Sequence, residues 1–355
     1  MSVIGSNVLA GASGAGGGSY EGNLAVAHFN SPYITVYEWD SSGFGSKYSN
    51  PSTLPTNNLN DVAWSPDGSD LVVSEQYSPY IRAYPFSSSG FGTVYANPSS
   101  LPANTGTAER LSWHPDGDVI AIAHGLTPFV TAYAWSSSGF GSKFSAPSTL
   151  ASDNAYGCAF SPDGNYIAIT HNASPCVTVY SWSSSGFGSK YSDPSTPPSS
   201  GNRAFDVAFS PDSDAIAISH QGSPYLNVYP WSSSGFGTKY SDPSSTVSSW
   251  GRAAQWSPDG SNIALAHIGA PSISVWAWSS GFGSKYSNPS TQPNTNENRC
   301  EDVAWSPDGN HLAVAHLGTP FVTAYEWSSG FGAKHTDPST LPTNTGRGLA
   351  FSPDN

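Results

Sequence analysis

Ala304-Trp305-Ser306-Pro307-Asp308-Gly309-Asn310-His311-Leu312-Ala313-Val314-Ala315-His316 is the stretch whose reading decides the fold. Its centre suits a tight turn, because proline presets φ and glycine accepts positive φ. The apolar alternation after it reads as a strand. Outward from this stretch the same pattern returns. Its turn prolines are Pro66, Pro115, Pro162, Pro211, Pro258, Pro307 and Pro353, spaced by 46 to 49 residues. A Gly-Phe-Gly tripeptide keeps the same beat at Phe44, Phe91, Phe140, Phe187, Phe236, Phe282 and Phe331. Such a period marks stacked supersecondary units.

Each unit reads as four strands. In one copy, strand a is Asp61 to Trp64, strand b Leu71 to Ser74, strand c Ile81 to Phe86 and strand d Thr93 to Ala96. β-branched and aromatic residues fill these segments, and no helical period competes. Four strands in a unit of about 40–50 residues is the size of a propeller blade. The ends predict how the ring closes. Leu349 to Asn355 read as a strand a and half of its turn, whereas Leu24 to His28 read as a strand b with nothing before it. The expected fold is all-β: a seven-bladed β-propeller of four-stranded antiparallel blades. Its ring is closed by a C-terminal strand a joining N-terminal strands b, c and d. The expected domains are an N-terminal arm or linker, 1–21, and the propeller, 22–355.

The Ser-Pro-Asp-Gly turn and the strand ending in Tyr180-Ser181-Trp182 resemble WD-repeat and related seven-bladed propellers. The resemblance spans about residues 22–355 and implies fold rather than function, because propellers host many activities. The Gly-His and Trp-Asp signatures of typical WD repeats are missing, so their hydrogen-bond network is not implied.

Composition excludes several classes. A formal net charge of −13 with only 10% charged residues makes a poor binder of nucleic acid or anionic membrane. No apolar run approaches the roughly 20 residues of a membrane span. Cys158 and Cys176 fall on strands a and c of one blade, about 10 Å apart by strand spacing, too far for a disulfide. Cys300 stands alone. No cofactor is expected.

Residues 1–21 fall outside the repeat and lack the basic start of a signal peptide. They read either as a flexible leader or as an attachment arm in which Ile4, Val8 and Leu9 dock on a partner. The segment also resembles short leaders of tailed-bacteriophage virion proteins. That implies a virion-surface or extracellular location, with an assembly protein as partner through the arm; the alternative is cytoplasmic.

The constant positions read as frame. His28, His124, His171, His220, His267 and His316 end strand b, and Glu75 takes their place in one copy. Equivalent strands on adjacent blades lie about 10 Å apart, too far for a shared metal. A structural histidine bonded to a neighbouring loop is expected. Each Ser-Pro-Asp-Gly turn offers one carboxylate where calcium takes six to eight oxygens, so the aspartates read as turn residues. The Gly-Phe-Gly phenylalanines read as packing under the c–d loop.

The variable positions read as site. Four residues before the strand-a aromatic stand Asn60, Glu109, Tyr156, Phe205, Arg252, Glu301 and Arg347. Six before it stand Asn58, Thr107, Asn154, Arg203, Trp250, Arg299 and Thr345. Both columns enter the innermost strand and should ring one mouth of the channel. With Arg110 they hold five of the six arginines. The candidate ligand site is therefore Asn60, Glu109, Arg110, Tyr156, Arg203, Phe205, Trp250, Arg252, Arg299, Glu301 and Arg347. Arginine and aromatic residues are the usual composition of a recognition surface. Lying outside the frame, Arg252 and Trp250 are expected to be replaceable without loss of stability.

The expected function is a non-enzymatic binding or structural propeller of a phage particle, recognising a surface glycan or protein through the d–a loops. The alternatives are a cellular interaction scaffold and a lactonase-like propeller enzyme. In an enzyme, a catalytic group must differ from its six copies, which limits the candidates to Glu75, Glu109, Glu301 and the arginines.

Overall fold

A computed structural model describes residues 2–4, 8–10, 20–102, 108–198, 203–294 and 299–354. Seven four-stranded antiparallel sheets form the ring, and no α-helix occurs among the described residues. In each blade the strands are hydrogen-bonded in the order a-b-c-d. In the second blade these are Leu59–Trp64, Asp70–Glu75, Ile81–Ser87 and Gly90–Phe91. Strand d therefore starts at Gly-Phe-Gly and not, as expected, at Thr93. Gly90, at φ +92°, closes the turn so tightly that Ser87 pairs directly with Gly90.

The seam is where the two ends of the sequence place it. Strand a of the first blade is Gly346–Phe351, and it pairs with strand b, Gly22–His28, in the register Leu24–Phe351, Ala25–Ala350, Val26–Leu349. The arm reading of residues 1–21 needs correcting at its end. Tyr20 is buried in the seam, and its hydroxyl donates to the Ser352 carbonyl at 2.8 Å. Further upstream, Ser2–Ile4 pairs antiparallel with Val8–Ala10. The side chains of Ile4, Val8 and Leu9 lie outside the described residues, and the attachment reading with them.

Between blades the core is apolar and repetitive. Alternate residues of strands b and c pack against strand a of the next blade, as Ala25, Ala27, Ile34 and Val36 do against Val62 and Trp64. Each Gly-Phe-Gly ring is part of this packing. Phe44 meets Tyr37 and Trp39 edge-on at 5.4 and 5.0 Å, and Phe187 meets Tyr180 and Trp182 at 5.8 and 4.9 Å. The same tyrosine column bolts down the Pro-Ser-Thr loops. Tyr84 donates to the Thr53 carbonyl at 3.0 Å and Tyr180 to that of Thr149 at 2.8 Å. This explains why that half of the d–a loop stays constant while the half beyond it varies.

The turn aspartates do turn work: Asp67 accepts from the Ser65 hydroxyl at 2.6 Å and the Ser69 amide at 3.1 Å. The strand-b histidines are buried, and the expected loop partners are present: Nδ1 of His28 lies 3.1 Å from the Phe29 carbonyl and 3.3 Å from Thr343 Oγ1, and Nδ1 of His267 lies 3.1 Å from the Ile268 carbonyl. Nε2 of most of them also meets a strand-c hydroxyl. His28 meets Thr35 at 3.0 Å, His124 meets Thr131 at 2.9 Å and His316 meets Thr323 at 2.9 Å. The second blade swaps the pair as a unit. Glu75 and Arg82 replace histidine and threonine and form a buried ion pair at 2.7 Å. Glu75 is thereby a frame residue and no catalytic candidate. Cys158, Cys176 and Cys300 are buried thiols.

Candidate active site

Strand a carries the same irregularity in every blade. His171 pairs with Ala155, but its neighbour Thr170 pairs with Gly157, so Tyr156 is an extra residue. Register shifts of the same kind leave Asn60, Phe205, Arg252, Glu301 and Arg347 extra in their blades, and place Glu109 and Arg110 in the shift of the third blade. A β-bulge re-aims a side chain out of the sheet's alternation. Seven bulges around the axis turn seven side chains to the channel mouth. The sequence column four before the aromatic is thus a ring of bulges.

All eleven expected site residues line one cavity of about 360 Å³ at this mouth. They divide into two walls. On one, Glu301 is clasped by three guanidinium groups. Arg252 reaches Oε2 through Nε at 3.0 Å and Nη2 at 2.7 Å, Arg347 reaches Oε1 at 3.0 Å, and Arg299 pairs with the same Oε1. Burial alone would raise the Glu301 pKa, but Arg252, Arg347 and Arg299 pull it down to about 2. The second wall is aromatic. Tyr156 and Phe205 meet edge-on at 6.0 Å, and Trp250 stacks on Phe205 at 6.1 Å with its plane tilted by 26°. Arg203 lies 4.5 Å above the Tyr156 ring, and Arg252 lies 4.4 Å above Phe205.

Arg110, an expected site residue at the cavity floor, anchors a layer of aspartates that the sequence columns missed. Buried Arg110 pairs with Asp302 at 2.9 Å and Asp61 at 3.3 Å, and donates to the Glu301 carbonyl at 3.1 Å. Asp61, Asp302 and Asp206 also accept strand-a amides of the next blade: Leu111 at 2.8 Å, Leu349 at 2.9 Å and Ala254 at 3.2 Å. Burial raises the pKa of all three, that of Asp206 to about 6. The signal was available. Three residues before the aromatic stand Asp61, Arg110, Gly157, Asp206, Ala253, Asp302 and Gly348, a column as varied as its neighbours. Phe29, under Arg347 at 5.3 Å, was missed because it sits in a b–c turn. The expectation that Arg252 is replaceable is also corrected, since it neutralises a buried carboxylate. Trp250 is 38% exposed.

No protein-family model matches the chain, and no curated protein matches it in sequence. Solved structures do. The periplasmic gluconolactonase PpgL of Pseudomonas aeruginosa superposes with a TM-score of 0.71 at 17% identity, over 95% of this chain and 100% of that one. Two proteins provisionally assigned as 6-phosphogluconolactonases are similar. One, from Bacteroides uniformis, has a TM-score of 0.69 at 14% identity, over 93% and 99% of the two chains. The other, from Bacteroides fragilis, has a TM-score of 0.68 at 13% identity, over 94% and 98%. At these identities the likeness defines the class, a seven-bladed β-propeller. The expectation of a non-enzymatic phage propeller is corrected by these neighbours, which are named as lactonases.

Proposed function

We propose that the chain is a lactonase-type hydrolase that opens a hydroxyl-rich cyclic ester at the channel mouth. The observation that carries this reading is the convergence of Arg252, Arg299 and Arg347 on one carboxylate at a cavity wall. Three cations share one anion there, in a protein of net charge −13. Such a wall suits a reaction that develops negative charge on an ester oxygen, because preorganised donors act strongly in a partly desolvated site. The cavity volume falls in the usual range for small-ligand sites, about 300–1,000 Å³. The neighbours' names point to the same chemistry.

In this reading a water adds to the lactone carbonyl carbon and the guanidinium groups stabilise the oxyanion. The ring C–O bond then breaks, and the proton released by water reaches the departing oxygen. Glu301 is too acidic to be the base and serves to position its arginines. Glu109, on the same cavity, is the carboxylate assigned to carry the proton. The test is acid release from glucono-δ-lactone and its 6-phosphate, with the spontaneous rate subtracted. Glu109→Gln should lower kcat by about 10²–10⁴, the range for losing a general base. A folded wild-type protein that never exceeds the spontaneous rate on either lactone would sink the reading.

A further inference from the structure

Arg203 differs from every other arginine of the cavity. Arg110, Arg252, Arg299 and Arg347 each pair with a carboxylate. Among the described residues Arg203 forms no ion pair, and its Nε is buried without an acceptor. Among the described residues its guanidinium lies against ring faces, 4.5 Å from Tyr156 and 5.7 Å from Phe205. A buried donor left unmade is costly, and guanidinium is built for planar, two-pronged acceptors. Beside it, across Phe205, stands Trp250. Of the chain's 12 tryptophans it alone is among the exposed large apolar residues. One indole face rests on Phe205. An indole at a cavity rim offers a flat apolar face to a ligand together with a polar edge.

The guanidinium with its unmet Nε and the uncovered indole share the aromatic wall, which Arg252 joins to the Glu301 cluster through Phe205. We infer that they form a second subsite, which takes a pyranose ring bearing a carboxylate, a uronic-acid unit. The C–H face of the ring lies on Trp250, and the carboxylate closes on the Nε edge of Arg203. A phosphate ester shares the oxyanion chemistry, but phosphate by itself would leave Trp250 without a role. Combined with the proposed lactonase activity, the subsite makes the substrate a lactone that carries an acidic sugar unit. The inference rests on that activity for the reacting ring only; the second subsite is a matter of binding.

The experiment is calorimetric titration of the full chain with methyl glucuronoside, methyl glucoside and inorganic phosphate. Glucuronoside should bind about ten-fold tighter than glucoside, or roughly one hydrogen-bonded charge's worth of affinity. Arg203→Gln should erase that preference, and Arg203→Lys, which keeps the charge without the fork, should retain part of it. Trp250→Ala should weaken both sugars about ten-fold with an unchanged melting temperature. Equal affinity for the two sugars overturns the inference. So does a preference that survives Arg203→Gln, or phosphate binding as tightly as glucuronoside. If Arg203→Gln does not fold, the Lys variant and Trp250→Ala still decide. None of these readings needs turnover, so inactivity on lactones with sugar binding intact would defeat the hydrolase reading alone.

Discussion

Arg252 and Glu301 stand 49 residues apart, in the same bulge column of adjacent blades, with Nη2 2.7 Å from Oε2. One step of the repeat thus turns a sequence column into an ion pair across the mouth of the channel. Glu301 is almost fully buried and is the shared anion of three guanidinium groups. Glu301→Gln keeps the volume and removes the charge. Stability should fall by about 3–5 kcal/mol, the cost of breaking a buried ion pair from one side. Lactone turnover should be lost with it. Denaturant melts beside the acid-release assay read both, and a variant that keeps wild-type stability would show that the cluster is not held by Glu301.

The exchange of histidine and threonine for Glu75 and Arg82 invites a cycle. Glu75→His alone leaves buried Arg82 without its anion, and it strips the Thr56 amide and hydroxyl of their 2.9 and 2.6 Å acceptor. Arg82→Thr alone leaves a buried carboxylate. Each should cost about 3–5 kcal/mol. The double variant restores the pair used by His124 and Thr131 and should recover most of the loss. The measurement is the coupling energy from four melting curves; additive single effects would contradict the pairing.

The seam gives a graded test. Tyr20→Phe removes hydrogen bonds to the Ser352 carbonyl and hydroxyl, at 2.8 and 3.0 Å. It should cost about 1–2 kcal/mol, as for a buried group left unpaired. Removing residues 345–355 takes away strand a of the first blade and bares the edge of strand b. The loss should far exceed that of Tyr20→Phe. Equal melting temperatures for truncated and intact protein would mean that the ring does not close there.

Acid should unfold the ring in a definite window. Burial holds His28, His124, His171, His220, His267 and His316 near a pKa of about 4, against 6.5 in a free side chain. Between these values the unfolded chain binds protons that the folded chain refuses. Stability is therefore full above about pH 6.5 and falls as pH drops toward 4. Asp206 works the other way, since its raised pKa means the folded state takes its proton first, near pH 6. Burial raises Asp61 and Asp302 in the same direction. Six histidines outweigh three aspartates, at about 1.4 kcal/mol per proton per pH unit. Melting temperatures should be flat above pH 7 and drop steeply below 6.5. A flat profile down to pH 4 would contradict the burial of the histidines.

The fold was legible because each determinant is local and written seven times. The Ser-Pro-Asp-Gly turn, the alternating strands and the tyrosine column act within one unit, and the split copy at Leu349 and Leu24 names the seam. The site was legible to the extent that a repeat exposes its exceptions. Counting back from Trp256 and Trp305 picks out Arg252 and Glu301 before any contact is known. Strand d was misplaced because the tightness of the turn at Gly90 depends on a backbone angle that a Gly-Phe-Gly string does not state. The proposed lactonase site is hard to read in sequence because a site built from one residue per blade leaves no contiguous motif.

By itself the sequence determined the number of blades, their strand order, the closure at Leu24 and Leu349, and the columns that vary. Only the tertiary structure decided what those columns do. The bulge in each strand a is a property of pairing with strand b, and it turns side chains such as Tyr156 toward the channel mouth. Closure of the ring then sets residues of different blades within hydrogen-bond reach: Arg110 from one against Asp61 and Asp302 from two others. The net state of that cluster depends on burial and charge–charge distance, and neither exists along a chain until the seven sheets surround a common axis.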